Sequence, residues 1–431
     1  MNYEEALNYV ESTAKFGMKL GLERMERILE ILDNPQKKIK TIHIAGTNGK
    51  GSTTAMLSGI LKEEGYSVGM YTSPFLESFE ERMQINNENI SKDDFAKLIT
   101  EFSIIVPKII EENLGEPTYF EIITAVAFLY FSRKNVDYAV IEVGLGGRLD
   151  ATNVITPILT IITSISFDHI GILGDTLAEI AYEKGGIIKR GIPLVLYPQD
   201  KEVREVITNL CIEKNSELIE VPRDFTEFKE VYIEDGKTYQ LIKVNEEEPY
   251  NISLGLLGKH QVNNASVAIK SVEVLKKLGI KIERDSMKKA FKHTKWIGRL
   301  EKIKDNPLTV IDAAHNIGGI LSLKESINTY FKYDKLILIL GILADKQVHD
   351  MVAEIAPLAH KIITVTPHSD RAELSEDLRR VVQKYNSNCE SYEDYRGAYE
   401  KACLYCNSGD IIVAAGSIYM IGDMRKIINR A

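Results

Sequence analysis

Residues 42–53 constrain the fold of this chain more than any other segment. They read as a short apolar strand, a glycine-rich turn that carries Lys50, and then Ser52 and Thr53 at the start of a helix. Glycines let the backbone turn tightly with its N–H groups directed inward, and the following helix presents its positive end. We therefore expect a polyphosphate to bind here, with Lys50 against its phosphates and Ser52 or Thr53 available to bind Mg²⁺.

The spacing of this loop departs from the usual phosphate-loop pattern, G-x-x-x-x-G-K-[ST]. Ile44 stands where the first glycine is expected, and Gly51 separates the lysine from the hydroxyl residues. A glycine-rich turn can also be a plain connection between a strand and a helix. The loop alone therefore leaves both interpretations open.

Length and composition restrict the class of protein. At 431 residues the chain is too long for one ordinary domain, and we expect two or three. Hydrophobic residues make up 44% of the chain and charged residues 27%, as in a folded globular enzyme. No apolar run approaches the roughly 18 residues of a membrane span, and the N-terminus has no signal-peptide layout. We therefore expect a cytoplasmic protein without a membrane partner.

Charge and cysteine content argue against two further kinds of partner. The net charge of −9 argues against a nucleic-acid partner, although it is compatible with a local basic pocket for anions. Four cysteines in a chain of this length do not make a disulfide framework. Cys403 and Cys406 form a C-x-x-C pair without a second ligand pair nearby, so we expect two reduced thiols rather than a metal site.

Apolar, strand-like runs alternate with helical patterns along most of the chain. This alternation predicts an α/β fold with a doubly wound, mainly parallel sheet. Residues 225–250 differ, because they are charged and carry Asp235-Gly236 at a hairpin position, so we expect an antiparallel edge or flap there. The predicted strands are residues 41–45, 67–71, 137–143, 158–163, 193–197, 308–311, 336–340, 361–365 and 410–415.

The strands after residue 308 make a second block that looks self-contained. We place the boundary near Lys295, which gives a first domain of residues 1–295 with the phosphate loop and the doubly wound sheet. Residues 296–431 then form a smaller C-terminal α/β domain of the Rossmann-like kind. Two such lobes joined by a short segment leave a cleft where ligands commonly bind.

Two buried strands of the first block end in groups that can bind a metal. Glu142 closes a strand before a second glycine-rich loop, and Asp168-His169 follows another apolar strand. A buried carboxylate must be paired or bind a metal, so Glu142 and His169 could share Mg²⁺, or Glu142 could simply form a salt bridge. An imidazole is an unusual ligand for Mg²⁺, which prefers oxygen atoms.

Four cationic or acid–base side chains stand out further along the chain. Lys184 ends a helix before two glycines, and taken alone it reads as a favourable cation at the negative end of that helix. Asp312 and His315 end a strand of the second block, and Arg299 precedes that strand. An arginine suits phosphate because its planar fork donates two parallel hydrogen bonds.

Taken together, these motifs resemble the folylpolyglutamate synthase/dihydrofolate synthase family of the Mur-ligase superfamily. The departures are small: Gly185 stands where alanine is common, and Met83 where isoleucine is common. The motifs occur in the family's order, and they are Gly46-Thr47-Asn48-Gly49-Lys50-Gly51-Ser52, Thr72-Ser73-Pro74-Phe75 with Glu81-Arg82, Phe120-Glu121-x-x-Thr124, Glu142-Val143-Gly144-Leu145-Gly146-Gly147-Arg148-Leu149-Asp150-Ala151-Thr152-Asn153, Asp168-His169, Glu183-Lys184-x-Gly186-Ile187-Ile188-Lys189, His260-Gln261-x-x-Asn264-Ala265, Gly298-Arg299-Leu300-Glu301 and Asp312-x-Ala314-His315-Asn316.

The resemblance implies a role for each site residue. Lys184 matches a lysine that the family carries as a carbamate, and Lys50, Lys184, Arg299 and His315 are the implied catalytic residues. The implied ligands of two Mg²⁺ ions are Ser52 for the first and Ser73, Glu142 and His169 for the second. The folate site is implied at Ser73, Pro74, Phe75 and Arg82. ATP would be bound by Gly46, Thr47, Asn48, Gly49, Lys50, Gly51, Ser52, Asn264, Arg299, Asp312 and His315.

The resemblance also implies the reaction, an ATP-dependent ligation. A substrate carboxylate attacks the γ-phosphate of ATP, and the amine of L-glutamate then attacks the resulting acyl phosphate. The implied partners are a folate or dihydropteroate, L-glutamate and ATP. The sequence does not distinguish dihydropteroate from tetrahydrofolate as the acceptor. It also leaves open the glutamate chain length and linkage, a monovalent-cation requirement and the oligomeric state, for which a monomer is the default.

Two other functions compete with this interpretation. A Mur-type peptidoglycan ligase shares the ATP chemistry but usually has a separate N-terminal substrate domain, for which a phosphate loop at residue 46 leaves no room. A nucleotide-dependent binding module without catalysis would need the phosphate loop and the Mg²⁺ ligands. It would not need the lysine motif or the Asp-x-Ala-His-Asn motif of the second block.

Overall fold

Two units make up the chain, and each is built around its own mainly parallel sheet. The computed structural model describes residues 1–17, 21–369 and 371–430. One unit comprises Met1–Phe225 and Asn263–Thr294, and the other comprises Thr226–Val262 and the chain from Lys295 onward. The predicted α/β fold class is therefore confirmed in both units.

The first unit contains an eight-stranded sheet in the order β4-β3-β2-β5-β1-β6-β7-β8. The strands from β2 to β8 in this order run parallel, whereas β3 and β4 pair antiparallel at one end. Since neighbours lie on both sides of β1, the sheet is doubly wound, as predicted. Its strands are β1 (Lys40–Ala45), β2 (Val68–Tyr71), β3 (Met83–Ile85), β4 (Glu88–Asn89), β5 (Tyr138–Glu142), β6 (Leu159–Ile162), β7 (Leu194–Leu196) and β8 (Leu218–Glu220).

Helices connect these strands and cover the sheet. Several begin with a side chain that caps the first turn, as Thr118 does for α5 and Thr176 for α7. Ala139 and Ile141 of β5 belong to a core formed with α1, α2, α4 and α5. The helices are α1 (Tyr3–Ser12), α2 (Glu23–Ile31), α3 (Lys50–Glu63), α4 (Lys92–Glu111), α5 (Tyr119–Arg133), α6 (Ile170–Leu173), α7 (Leu177–Gly185), α8 (Lys201–Lys214), α9 (Lys259–Lys277, most of it in this unit) and α10 (Arg284–His293).

A separate three-stranded antiparallel sheet forms between β8 and α9. Its strands are β9 (Thr226–Glu234), β10 (Lys237–Val244) and β11 (Tyr250–Leu254), and Asp235-Gly236 makes the first turn as predicted. Phe228 packs on Tyr330 with ring centroids 5.7 Å apart, and the Tyr330 hydroxyl donates to Gln240 Oε1 at 2.6 Å. The β9–β10 hairpin therefore belongs to the second unit. The predicted boundary near Lys295 instead places these residues in the first domain.

The second unit contains a six-stranded sheet in the order β12-β13-β17-β14-β15-β16, in which only β12 pairs antiparallel. Its strands are β12 (Glu301–Asp305), β13 (Leu308–Asp312), β14 (Leu336–Leu340), β15 (Lys361–Val365), β16 (Cys389–Tyr392) and β17 (Ile411–Ala415). Its helices are α11 (Ile317–Tyr330), α12 (Val348–Ile355), α13 (Ser375–Val382), α14 (Tyr395–Tyr405) and α15 (Ile418–Arg430). Among the described residues of either unit, no helix is long and apolar enough to cross a lipid bilayer.

A buried ion pair joins α2 to α5 in the first unit. Arg24 donates from Nε and from its terminal nitrogen to the carboxylate of Glu121, at distances between 2.6 and 3.0 Å. The same carboxylate accepts from the backbone and the hydroxyl of Thr118, which makes the capping box of α5. One buried anion therefore links a helix cap to a neighbouring helix.

Replacing Arg24 by alanine leaves the Glu121 charge buried without its partner, and this should destabilise the first unit by about 3 kcal/mol. Arg204 makes a two-bond pair of the same kind with Glu220, but on the surface, so Arg204→Ala should change stability far less. Urea unfolding followed by circular dichroism measures both variants. Equal losses of unfolding free energy in the two variants would show that burial of the ion pair does not determine its contribution to stability.

Candidate active site

The carboxyl ends of four adjacent parallel strands meet at one edge of the first sheet. In sheet order these strands are β2, β5, β1 and β6. Ser73 follows β2, Glu142 ends β5, the glycine-rich loop follows β1, and His169 lies beyond β6. Ligands of open parallel sheets bind at this edge, and Ser73, Glu142, the phosphate loop and the segment that leads to His169 all lie at or beyond strands that end there.

The glycine-rich loop leads directly into α3, whose first residue is Lys50. Gly49 precedes the helix with a φ of 88°, a left-handed conformation that favours glycine. A Cβ atom at Gly49 would collide with the side-chain amide of Asn264 from α9. The structure thus places Asn264 against the phosphate loop, while Ser52 lies buried in the first turn of α3.

Hydrogen bonds hold the phosphate loop to the segment that follows β6. The backbone N–H of Thr47 donates to Ser164 O at 2.7 Å, and its hydroxyl donates to Ser166 O at 3.0 Å. The hydroxyl of Ser164 donates in return to Asn48 O at 3.1 Å. The loop is therefore fixed against the segment that leads to Asp168 and His169.

Two lysines converge on one carbonyl oxygen of the phosphate loop. Lys50 Nζ donates to Gly46 O at 3.1 Å and to Thr47 O at 3.2 Å. Lys184 Nζ, near the end of α7, donates to the same Gly46 O at 2.9 Å. The two ammonium groups therefore stand close together at the carboxyl end of β1, beside the position expected for the phosphates.

The Lys184 side chain is almost fully buried, with 4% of its surface exposed. Burial, and secondly the positive charge of Lys50, lower the pKa of the Lys184 ammonium from 10.5 to about 7. A substantial fraction of Lys184 is consequently a neutral amine at neutral pH. A neutral amine is a nucleophile, which a surface lysine at the same pH is not.

Glu142 is a buried carboxylate at the same edge, with 4% of its surface exposed. Its Oε2 accepts the backbone N–H of Ser73 at 3.4 Å, so β2 and β5 deliver the two predicted metal ligands side by side. Glu142 and Ser73 of the second predicted site, and Ser52 of the first, supply the oxygen donors that Mg²⁺ prefers, whereas His169 would supply one nitrogen. The donor set therefore fits Mg²⁺.

His169 lies on the other side of the phosphate loop from Glu142, because β1 separates β5 from β6. Its backbone has a φ of 51°, and its N–H donates to Asp168 Oδ1 at 3.0 Å. Its Nε2 lies 3.9 Å from Asp168 Oδ2. The Asp168 carboxylate therefore lies beside the imidazole ring.

The predicted folate-site residues lie between β2 and β3, and two of them are in contact. Arg82 is buried with 7% exposed, and its guanidinium carbon lies 5.2 Å from the ring centroid of Phe75. The rings of Phe79 and Tyr119 lie 5.7 and 5.6 Å from the same carbon. Arg82 therefore stands among three aromatic rings, an arrangement that holds a guanidinium by cation–π attraction.

In the second unit one carboxylate organises two of the predicted site loops. Asp312 accepts the backbone N–H of Leu300 at 2.7 Å with one oxygen and that of Ala314 at 2.8 Å with the other. These amides adjoin Arg299 and His315 respectively. Burial raises the pKa of the Asp312 carboxyl group. Asp312 thus fixes the backbone next to Arg299 and next to His315.

Further bonds fix the Arg299 loop and the His315 ring. Glu301 accepts the backbone N–H of Gly298 at 2.7 Å, and the Arg425 guanidinium of α15 donates to both of its oxygens. His315 Nδ1 lies 2.9 Å from Ala313 O. A carbonyl only accepts, so Nδ1 carries the proton and Nε2 is the acceptor of the neutral ring.

Asp150 has no predicted role, although it lies within the motif of residues 142–153. This buried carboxylate accepts the backbone N–H groups of Leu145 at 2.9 Å and Thr152 at 3.0 Å, as well as the Thr152 hydroxyl. The Thr152 hydroxyl also meets His43 Nε2 at 2.9 Å, and burial lowers the pKa of His43 to about 3. The only signal in the sequence was an acidic residue that follows a glycine-rich loop.

Family models match both parts of the chain. The Mur ligase middle domain matches residues 44–272, and the Mur ligase glutamate ligase domain matches residues 298–418. These two segments contain the phosphate loop with Lys184 and the Arg299–His315 region respectively.

Known proteins of one kind resemble nearly the whole chain. The dihydrofolate synthase/folylpolyglutamate synthase of Bacillus subtilis is 36% identical over 426 residues, covering 98% of each chain. The folylpolyglutamate synthase of Mycobacterium tuberculosis complexed with ADP superimposes with a TM-score of 0.91 at 30% identity, covering 100% of each chain. An FPGS–AMPPCP–folate complex superimposes with a TM-score of 0.85 at 30% identity and 99% coverage of each chain.

Gly49→Ala should lower the affinity for ADP at least tenfold, because the added methyl group collides with Asn264 and disturbs the loop. Gly65, just past the other end of α3, also has a positive φ, of 101°, but has nothing within 4 Å of an added Cβ. Gly65→Ala should therefore lose only about 1 kcal/mol of stability and keep its ADP affinity. Calorimetric titration with ADP compares them, and equal affinities would contradict the placement of the nucleotide at this loop.

Proposed function

The chain belongs to the folylpolyglutamate synthase/dihydrofolate synthase family of Mur ligases, and we propose that it joins L-glutamate to the carboxylate of a folate in an ATP-dependent reaction. Dihydropteroate is the second acceptor that we propose. ATP is converted to ADP and phosphate as one amide bond forms. The enzyme is thus an acid–amino-acid ligase.

One geometric observation supports this proposal above the others. Lys50 and Lys184 share the carbonyl of Gly46 at the edge of the sheet where Glu142 ends its strand. A nucleotide switch needs the phosphate loop, but it has no use for a second, buried lysine with a lowered pKa. A ligase has use for both, because Lys50 can neutralise the triphosphate while the buried Lys184 amine can be converted to an anion beside the metals.

In the proposed first step, an oxygen of the folate carboxylate attacks the γ-phosphorus of ATP. The bond between that phosphorus and the β,γ-bridging oxygen breaks, which gives an acyl phosphate and ADP. Phosphoryl transfer depends mainly on alignment and on neutralising the charge of the phosphate oxygens. We propose that Lys50 and the N–H groups of the first turn of α3 do this, because that turn is the positive end of the helix.

In the proposed second step, the amine of L-glutamate attacks the acyl carbon. The carbon–oxygen bond to phosphate breaks, phosphate leaves, and the amine loses a proton as the amide forms. Water competes with glutamate for the acyl phosphate, so the reaction requires that water be excluded while the intermediate exists. His315, with Nε2 as an acceptor in its neutral form, is the group that we propose to assist the amine.

We further propose that Mg²⁺ is bound by Ser52 and, at a second site, by Ser73, Glu142 and His169. When bound, these ions neutralise and align the phosphate oxygens. Burial of Glu142 and its contact with the Ser73 backbone hold the carboxylate in place without a bound ion. The oxygen-rich donor set supports this assignment.

Lys184 is proposed to be a carbamate in the active enzyme. Its neutral amine attacks CO₂, a nitrogen–carbon bond forms, and one proton is released to solvent. The product is an anion in place of a cation, so the repulsion from Lys50 becomes an attraction. The lowered pKa of Lys184 and its position beside Gly46 support this modification.

The remaining roles are proposed from the motifs and their placement. Asn264, against the phosphate loop, and Arg299 are proposed to bind ATP, with Asp312 positioning Arg299 and His315. Ser73, Pro74, Phe75 and Arg82 are proposed to bind the folate. In this scheme residues 1–295 supply the ATP and folate sites, and residues 296–431 supply the glutamate ligase domain. We retain the monomer and the cytoplasm as predictions.

ADP release tests the proposed reaction directly. The purified protein with MgATP and tetrahydrofolate should release ADP at a rate that rises at least tenfold when L-glutamate is added, and dihydropteroate should serve as a second acceptor. Omitting the acceptor is the control. A rate of ADP release that does not change when glutamate or the acceptor is added would indicate a nucleotide-binding module. It would overturn the ligase assignment.

The carbamate at Lys184 makes a pH-dependent prediction. A folded-state pKa of about 7 leaves about a tenth of the amine neutral at pH 6 and about nine-tenths at pH 8. In ¹³C-bicarbonate, a protein-bound carbamate NMR signal should therefore grow over this interval and be missing from Lys184→Ala. A signal unchanged by that substitution would place any carbamate elsewhere, and a fully active Lys184→Ala enzyme would refute its role.

A further inference from the structure

The loop that follows Glu142 is bound directly to the end of the helix that carries Lys184. The backbone N–H of Arg148 donates to Glu183 O at 2.7 Å. The Arg148 guanidinium also donates to Glu183 Oε1 at 2.8 and 3.1 Å on the exposed side. Residues 144–149 and the end of α7 are therefore joined by backbone and by side chain.

Two glycines allow these segments to approach more closely than side chains would permit. A Cβ atom at Gly147 would lie 2.8 Å from the carbonyl oxygens of both Glu183 and Lys184. A Cβ atom at Gly186 would collide with the Cα and Cβ atoms of Arg148. The two segments thus interlock, and neither can move along the other without breaking backbone contacts.

Asn153 bonds to both sides of this junction. Its buried Nδ2 donates to Arg148 O at 3.0 Å and to Gly186 O at 3.0 Å, while Lys189 Nζ donates to its backbone carbonyl at 2.8 Å. One side-chain amide therefore links the loop after Glu142 to the turn after Lys184. Asp150, three residues earlier, fixes the start of the same loop through Leu145.

We propose that Asn153 is a positioning residue, which sets the separation between Glu142 and Lys184 and thereby the affinity of the site for Mg²⁺. This inference rests on the proposed function, because it needs both groups to serve one bound MgATP. Asn153 touches neither substrate nor metal in this scheme. It acts through the loop that follows Glu142 and through the helix whose last turn carries Lys184.

Asn153→Asp is the sharpest test of this role. The aspartate has the shape of asparagine but donates no hydrogen bond, and its charge faces two carbonyl oxygens, so the loop and the helix end should separate. Groups that orient metal ligands typically change metal affinity by about 10- to 100-fold when they are removed. We therefore expect the half-saturating Mg²⁺ concentration to rise by at least about tenfold.

The second unit offers a matched control. Asn386 Nδ2 also donates to two backbone carbonyls, Ala356 O at 3.0 Å and Ala359 O at 2.7 Å. Asn386→Asp therefore removes the same pair of bonds at a place that carries no proposed site residue. Both variants should lower the melting temperature, but only Asn153→Asp should shift the Mg²⁺ dependence.

Two readouts are measured over a Mg²⁺ titration. One is glutamate-dependent ADP release, and the other, independent of turnover, is the rise in melting temperature that Mg²⁺ produces with β,γ-methylene-ATP bound. A tenfold shift of both midpoints in Asn153→Asp, with wild-type midpoints in Asn386→Asp, supports the inference. Wild-type midpoints in both variants would reduce Asn153 to a structural residue and overturn it.

The same series separates this inference from the proposed function. Wild-type protein that releases no glutamate-dependent ADP contradicts the function, whereas the melting titration still reports on Asn153. Should Asn153→Asp not fold, Asn153→Ala removes both donated bonds without adding charge and is compared with Asn386→Ala. An unshifted midpoint in a folded Asn153→Ala would equally refute the inference.

Discussion

The rest of the site depends on two lysine side chains, Lys50 and Lys184, that donate hydrogen bonds to the same carbonyl oxygen of Gly46. Two positive charges so close together repel each other, and burial strengthens the repulsion. The surrounding fold holds them there, and burial, followed by the charge of Lys50, lowers the pKa of Lys184. The proposed carbamate at Lys184 turns this repulsion into an attraction and leaves Lys50 as the cation for the triphosphate.

The sheet explains how such a site can be assembled from distant segments. Four parallel strands deliver Ser73, Glu142, the phosphate loop and the His169 segment to one edge, and the backbone fixes the register between them. Lys184 comes from a helix instead, so its position depends on how α7 is held. The interlocked glycines and Asn153 hold the end of that helix to the loop that follows Glu142.

The sequence predicted the parts that depend on local pattern. Buried strands such as β1 and β5, the helix after the phosphate loop and the Asp235-Gly236 turn follow from apolar runs and turn residues, and the structure has them. What it could not predict depends on contacts between distant residues. The charged hairpin gives no sign that Phe228 packs on Tyr330, and Asn153 gives none that it bonds to Gly186, because neither partner is near in sequence.

A crystal structure with MgATP or its β,γ-methylene analogue tests the central claim most directly. The account predicts the triphosphate against Lys50, a metal ion bound by Glu142, and electron density for a carboxylate group attached to Lys184 Nζ. An unmodified Lys184 still bonded to Gly46 O, with the triphosphate bound away from Lys50, would contradict it.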